Sequence, residues 1–297
     1  MSKPSALTTV RLSGSDGLSL AADVGGDPRQ PTVVLLHGGG QTRHSWSGAS
    51  RTLVSRGYHV INYDARGHGD SDWSPRQRYR MQDLADDLRA VLAALPPCPA
   101  LVGASLGAAT ALELLGSASD PVASGLVLVD LVPRAETEGV RRIRAFMSAH
   151  PDGFASLEEA ADAVAAYYPH RPRSRDPRGL LRNLRRRSDG RLLWHWDPAI
   201  LADANWTPPC EFAERLLAAA RRVRVPTLLV RGERSDIVGD AGVAELRAAL
   251  PQLEVASVAG AGHMVAGDRN DAFSAAVLDF LDRHLPRPSR PAAAQIS

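Results

Sequence analysis

The chain has 297 residues, 44% of them apolar and 23% charged, with a formal net charge of +2; these are the proportions of a soluble globular protein that buries a sizeable core unaided. Two cysteines, Cys98 and Cys210, exclude a disulfide framework and a cysteine-rich metal site, and suit a reducing interior. The charge gives no case for nucleic acid, and no apolar run nears the roughly 18 residues of a membrane span.

The opening "MSKPSALTTVRLSGSDG" lacks the apolar core of a secretory signal, so a cytoplasmic protein is expected. Residues 8 to 24, "TTVRLSGSDGLSLAADV", read as two strands joined by a turn at Ser15, Asp16 and Gly17. "PTVVLLHGGG" is a continuous apolar run ending in glycines, the pattern of a strand buried on both faces. The same grammar recurs at 59–69, 99–105, 125–132, 226–233 and 253–263. Between these runs lie helical patterns, such as Met81, Leu84, Leu88, Val91, Leu92 and Leu95. Alternating strands and helices predict an α/β fold, a mostly parallel eight-stranded sheet with helices on both faces. The alternation lapses over residues 133–224, which read as a helical cap inserted over the carboxyl edge of the sheet. The core is then 1–132 with 225–285, and the proline-rich end, 286–297, is expected to be a disordered tail.

"GASLG" (103–107) matches G-x-S-x-G, a pattern that places the serine on a tight strand-to-helix turn; an apolar run precedes it and helix formers follow. Ser105 is therefore the candidate nucleophile. A serine hydroxyl needs a base to take its proton and a third group to hold that base. His263, in "GAGHMV" directly after the last predicted strand, is the base best placed to reach back over the sheet edge. For the acid, Asp236 in "VRGERSDIV" follows the strand before last, while Asp130, at the end of "LVLVD", is a rival from a neighbouring strand; Asp236 is the favoured choice and Glu233 reads as structural. Acyl transfer also needs donors for the developing oxyanion. The backbone N–H of Leu106 and that of Gly39, or of Gly40, in "HGGG" fit that role.

Taken together, "LLHGGG", "YDARGHGDS", "VGASLG", "VRGERSD" and "GAGHMVAGD" resemble the α/β-hydrolase superfamily, in its cofactor-free esterase, perhydrolase and epoxide-hydrolase-like branch. The resemblance implies a serine hydrolase with Ser105, Asp236 and His263 as triad and Gly39 with Leu106 as oxyanion hole; "DARGHGDS" becomes a structural loop, so Asp64, Arg66 and His68 are not catalytic. Relatives that open epoxides carry an aspartate at the nucleophile position, because a carboxylate forms an ester that water can cleave whereas a serine would form an ether. Ser105 therefore disfavours epoxide chemistry. Hydroxynitrile lyases of the superfamily use a lysine in the insertion, and none stands there. The expected reaction is hydrolysis of a small, apolar carboxylic ester, lactone or thioester through an acyl-enzyme. Alternatives on the same scaffold are perhydrolysis, carbon–carbon bond hydrolysis and a non-catalytic receptor.

Trp46, Tyr167, Tyr168, Trp194 and Trp196 are candidates for pocket walls, with packing of the cap on the core as the plain alternative for each. From Arg171 to Arg191, nine arginines face only Asp176 and Asp189. An acidic carrier protein or anionic substrate would suit that excess, but a solvated face is favoured. No P-loop, G-x-G-x-x-G or H-E-x-x-H motif occurs, so no cofactor, nucleotide or metal is implied and the expected partner is a small-molecule substrate.

Overall fold

Thr32–Leu36, "TVVLL", is buried along its whole length and places Val33 and Leu35 on one face and Val34 and Leu36 on the other. This two-sided burial organises the fold. The computed structural model describes residues 7–169, 173–265 and 270–285; His170, Arg171 and the segment 286–297 lie outside the described residues. The strands in chain order are β1 (Thr8–Ser13), β2 (Ser19–Gly25), β3 (Thr32–Leu36), β4 (His59–Tyr63), β5 (Ala100–Ala104), β6 (Gly125–Val129), β7 (Leu184–Arg186), β8 (Leu192–Trp194), β9 (Thr227–Gly232) and β10 (Leu253–Val258). Eight of them form one sheet in the order β1-β2-β4-β3-β5-β6-β9-β10, antiparallel at β1–β2 and β2–β4 and parallel elsewhere. The α/β fold with a mostly parallel eight-stranded sheet is thus as the sequence leads one to expect.

The α-helices among the described residues are α1 (Ser47–Ser55), α2 (Met81–Ala93), α3 (Leu106–Ser117), α4 (Thr137–Ser148), α5 (Leu157–Tyr167), α6 (Pro209–Ala220), α7 (Asp240–Ala249) and α8 (Asn270–His284). Residues of α2, α3, α6 and α7 pack with Val34, Leu36, Leu101 and Leu128 on one face of the sheet. Trp46, Leu53 of α1, and Phe273, Phe280 and Leu281 of α8 pack with Val33, Leu35, Val102 and Val230 on the other. Each face is a dry apolar layer, the arrangement in which a parallel sheet is stable.

The segment that the sequence marks as a cap comprises α4, α5, the hairpin of β7 and β8, and short 3-10 turns between 177 and 205. It has its own cluster of Phe154, Ala160, Leu192, Trp194 and Trp196. The expected boundary at 224 falls too late. Helix α6 buries Leu216, Leu217 and Ala220 in the same layer as Leu112 of α3, and Arg215 holds Glu113 of α3 at 2.6 Å. Helix α6 lies in the stretch where strands and helices cease to alternate, but the face it buries belongs to the sheet.

Candidate active site

At the carboxyl end of β5 the chain turns sharply at Ser105, with φ 45° and ψ −108°, and enters α3. A Cβ at Gly103 would lie 2.5 Å from the backbone of Gly107 and Ala108, and one at Gly107 2.4 Å from the Leu36 carbonyl. Both positions thus require glycine, which is the physical content of the G-x-S-x-G spacing. The Ser105 N–H donates to the Val129 carbonyl at 3.0 Å, tying the turn to the neighbouring strand. A non-glycine residue at positive φ costs on the order of 1–3 kcal/mol, and the structure spends it where the side chain stands clear of the sheet.

One strand over, at the end of β6, Asp130 is the second non-glycine residue of the sheet edge at positive φ, 49°. Its side chain is buried. Oδ1 accepts the Gly232 N–H at 3.0 Å, and Oδ2 accepts the Ser235 hydroxyl at 2.6 Å and faces Nδ1 of His263 at 2.7 Å. With Nδ1 turned to the carboxylate, the other ring nitrogen, Nε2, is directed away from it. His263 and Ser105 line the same small cavity, of about 120 Å³, together with Gln41, Trp46 and Met264.

The favoured acid, Asp236, is not beside His263. It pairs at 2.6 Å with Arg142 of α4, a cap residue. The cause lies one residue earlier. The Ser235 hydroxyl, besides donating to Asp130, accepts the N–H groups of Ile237 and Val238 at 3.1 Å each. This turn fixes Ser235 inward toward Asp130 and turns Asp236 outward. The rival acid from β6 is therefore the one that meets the imidazole. Glu233 accepts the Gly260 N–H at 2.9 Å and shapes the approach to His263.

Gly39 and Leu106 face each other across the mouth of a larger cavity. The amides on either side of Gly39 are engaged, Gly38 N–H by Gln41 Oε1 at 3.1 Å and Gly40 N–H by His68 Nε2 at 3.2 Å. Among the described residues no acceptor takes the Gly39 N–H. Leu106 begins α3, where the first N–H groups have no intrahelical partner. The larger cavity, about 480 Å³, runs from Ser105 under the cap and is walled by Tyr79, Met81, Ile143, Met147, Trp206 and Phe212. This is the size range of small-molecule sites.

Most of the aromatic residues singled out in the sequence are elsewhere. Trp194 stacks on Trp196 at 5.0 Å and meets Phe154 edge-on, Tyr167 stacks on Phe146 at 4.3 Å, and Tyr168 abuts Tyr167; these rings hold the cap together and do not line the large cavity. Trp46 borders the small cavity but is itself buried against Phe273. Tyr79, Trp206 and Phe212 supply the aromatic wall instead; Tyr79 and Trp206 stand alone in polar sequence, and Phe212 shares the helical pattern of α6 with residues that face the sheet. Five arginines of the run have partners within the protein. Arg173 pairs with Asp162, Arg178 with Asp176 and Arg187 with Asp189, while Arg185 and Arg191 donate to main-chain carbonyls. In the "DARGHGDS" loop, Asp64 pairs with Arg43 and Arg66 with Asp87, both in the interior.

Residues 31–269 match the family described as the alpha/beta hydrolase fold. The chain is 34% identical over 259 residues to the esterase Rv0045c of Mycobacterium tuberculosis, covering 85% of this chain and 83% of that one. It is 30% identical to the sn-1-specific diacylglycerol lipase ABHD11 of Mus musculus, covering 86% and 82% of the two chains. Among solved structures, that of E-2-(acetamidomethylene)succinate hydrolase superposes with a TM-score of 0.82 at 26% identity, over 93% of this chain and all of that one.

Proposed function

Since the chain belongs to the α/β-hydrolase fold family and is an ester-cleaving member of it, we propose that Ser105 is its nucleophile, His263 its base and Asp130 the acid that orients the base. The observation that carries this reading is the 2.7 Å contact between Asp130 and Nδ1 of His263, in a ring that shares a cavity with the strained Ser105. His263 Nε2 takes the hydroxyl proton as Ser105 Oγ attacks the substrate carbonyl. Asp130 keeps the proton on Nδ1 and stabilises the imidazolium that forms. The N–H groups of Gly39 and Leu106 receive the oxyanion. Collapse of the tetrahedral intermediate expels the alcohol, protonated by His263; water, activated by the same ring, then releases the acid.

The two cavities divide the substrate. His263 must hand its proton to the departing alcohol and later draw one from water, so both occupy its side, in the cavity of about 120 Å³. At about 30 Å³ per water-sized group, that space holds about four heavy atoms. The acyl chain takes the apolar cavity of about 480 Å³ under the cap. The expected substrate is an ester of a bulky apolar acid with a small alcohol, and thioesters and lactones share the same acyl chemistry.

Ethyl octanoate and octyl acetate are isomers with the chain on opposite sides of the ester, and they test both parts. The expected result is hydrolysis of ethyl octanoate at least tenfold faster in kcat/KM, with both activities abolished in Ser105→Ala. Equal or reversed rates would overturn the division of the pocket, and turnover surviving in Ser105→Ala would overturn the nucleophile.

A further inference from the structure

Three buried histidines stand in a row outside the triad. The rings of His37 and His68 are 5.1 Å apart and those of His68 and His195 5.8 Å. Each ring has one nitrogen facing a backbone N–H and the other facing a backbone carbonyl. His37 Nε2 accepts from Ala65 at 2.9 Å and its Nδ1–H donates to Gly38 O at 2.8 Å. His68 Nε2 accepts from Gly40 at 3.2 Å and its Nδ1–H donates to Arg66 O at 3.0 Å. His195 Nδ1 accepts from Gly69 at 2.7 Å and its Nε2–H donates to Gly40 O at 3.3 Å. A backbone N–H can only donate, so the nitrogen it meets carries no proton and each ring is a neutral imidazole of defined tautomer.

The peptides these rings hold are consecutive. His37 grips the 38–39 peptide by its carbonyl, His68 the 39–40 peptide by its N–H, and His195 the 40–41 peptide by its carbonyl. A trans peptide is planar, with its C=O and N–H pointing in opposite directions. Fixing the Gly38 carbonyl therefore aims the Gly39 N–H, and fixing the next two planes stops the glycines from swivelling it away. Gly40 sits at φ +69°, and a Cβ there would touch Met147 and Trp196 of the cap at 3.4 Å. His195 is the only one of the three rings carried by the cap.

We propose that His195 is a positioning residue for the oxyanion hole, through which the seated cap holds the loop 38–41 in the geometry that stabilises the transition state. The inference rests on the reading of Gly39 as an oxyanion donor. A cap that lifts withdraws the donor from the Gly40 carbonyl and the acceptor from the Gly69 N–H together. Substrate enclosure and assembly of the hole become one event, so the transition state is stabilised fully only once the large cavity is covered.

The test compares His195→Phe, which keeps a ring but no nitrogen, with His195→Gln, whose terminal amide reaches the same carbonyl. With ethyl octanoate, the expected result for Phe is a kcat about tenfold lower, below the 10²–10³ of losing a hole donor outright, with KM unchanged within about twofold. A trifluoromethyl ketone of the same chain, which places an oxyanion in the hole, should bind about tenfold more weakly, while the plain methyl ketone binds as before. Gln should recover most of both losses. Hydrogen exchange at the amides of residues 38–41 is read in the same proteins: faster in Phe and restored in Gln. Wild-type kcat and exchange in His195→Phe would overturn the proposal, as would equal losses in Phe and Gln. If the wild type failed to cleave the ester, the esterase reading would fall, and the exchange measurement would still decide whether His195 holds the loop.

Discussion

The carboxyl edge of the sheet and the cap above it are held by different forces. At the edge, the key groups are fixed by directional hydrogen bonds: Asp130 by the Gly232 amide and the side chains of Ser235 and His263, and the loop after β3 by three imidazoles. In the cap, the interior is a stack of Phe146, Phe154, Trp194 and Trp196, and the outside is a set of exposed arginines paired with acids close in sequence. Directional bonds place atoms to within fractions of an ångström, which proton transfer demands. Apolar stacking only keeps a wall in place, which is sufficient for a substrate cavity. Asp236 sits on the border between the two regions and its partner, Arg142, is on the cap side.

The sharpest way to break that distinction is to exchange its two carboxylates. Asp130→Asn removes the charge that holds Nδ1–H of His263, and the expected fall in kcat is about 10³–10⁴-fold with the fold intact. Asp236→Asn removes one half-exposed ion pair, for which activity within about twofold of the wild type is expected. Steady-state rates of the two variants on one ester decide it. Loss in Asp236→Asn with activity kept in Asp130→Asn would reverse the assignment of the acid.

The sheet, the sharp turn at Ser105 and the place of His263 after the last strand are legible because each is written locally. Apolar runs ending in glycine mark buried parallel strands, and Gly103 and Gly107 are forced by contacts under 3 Å that no other residue tolerates. Which carboxylate meets the His263 ring is not, because two strand ends, β6 and β9, both lead to it and only the side-chain directions choose between them. The deciding feature is Ser235, a hydroxyl that bridges Asp130 to the turn at 237–238. Nothing in "GERSDIV" shows which of two adjacent polar residues turns inward. The cap aromatics misled for a related reason: "LLWHWDP" announces a cluster, but not whether the cluster faces a cavity or itself. His195, lying between those two tryptophans, carried no motif, and its role emerges only from the two backbone groups it touches.

The same contrast predicts where acid acts first. Burial pushes the imidazole of His68 down to about 3, with the adjacent His37 adding to the effect, and burial pushes His37 and His195 below the usual histidine range as well. In the unfolded chain these rings titrate near their ordinary value of 6.5. Between there and about 3 the unfolded chain binds a proton that the folded His68 refuses, and His37 and His195 act in the same direction, so stability is greatest above pH 6.5 and falls as the pH drops. For His68 the slope approaches about 1.4 kcal/mol per pH unit once the unfolded ring is protonated. The expected outcome is a urea midpoint that declines steeply from pH 6.5 to 5, a window above that of ordinary carboxylates. In His68→Gln, about one proton should be missing from the slope. A midpoint flat across that window would show that the imidazoles are not held neutral.

The smallest effect belongs to the outer face of the cap. Arg187 meets Asp189 through three contacts of 2.5 to 3.0 Å, and the pairing holds the Asp189 carboxyl down at about 2 and raises Arg187. Both side chains stand in solvent, where water competes for the same bonds and salt screens the charges. A strong local perturbation therefore does not become stability. In Arg187→Gln the melting temperature should stay within about a degree and hydrolysis of ethyl octanoate should be unchanged, in low and in high salt alike. A salt-dependent rise in KM in that variant would instead give the arginine run a part in drawing substrate to the cap, and the outer face of the cap would have to be counted with the binding machinery.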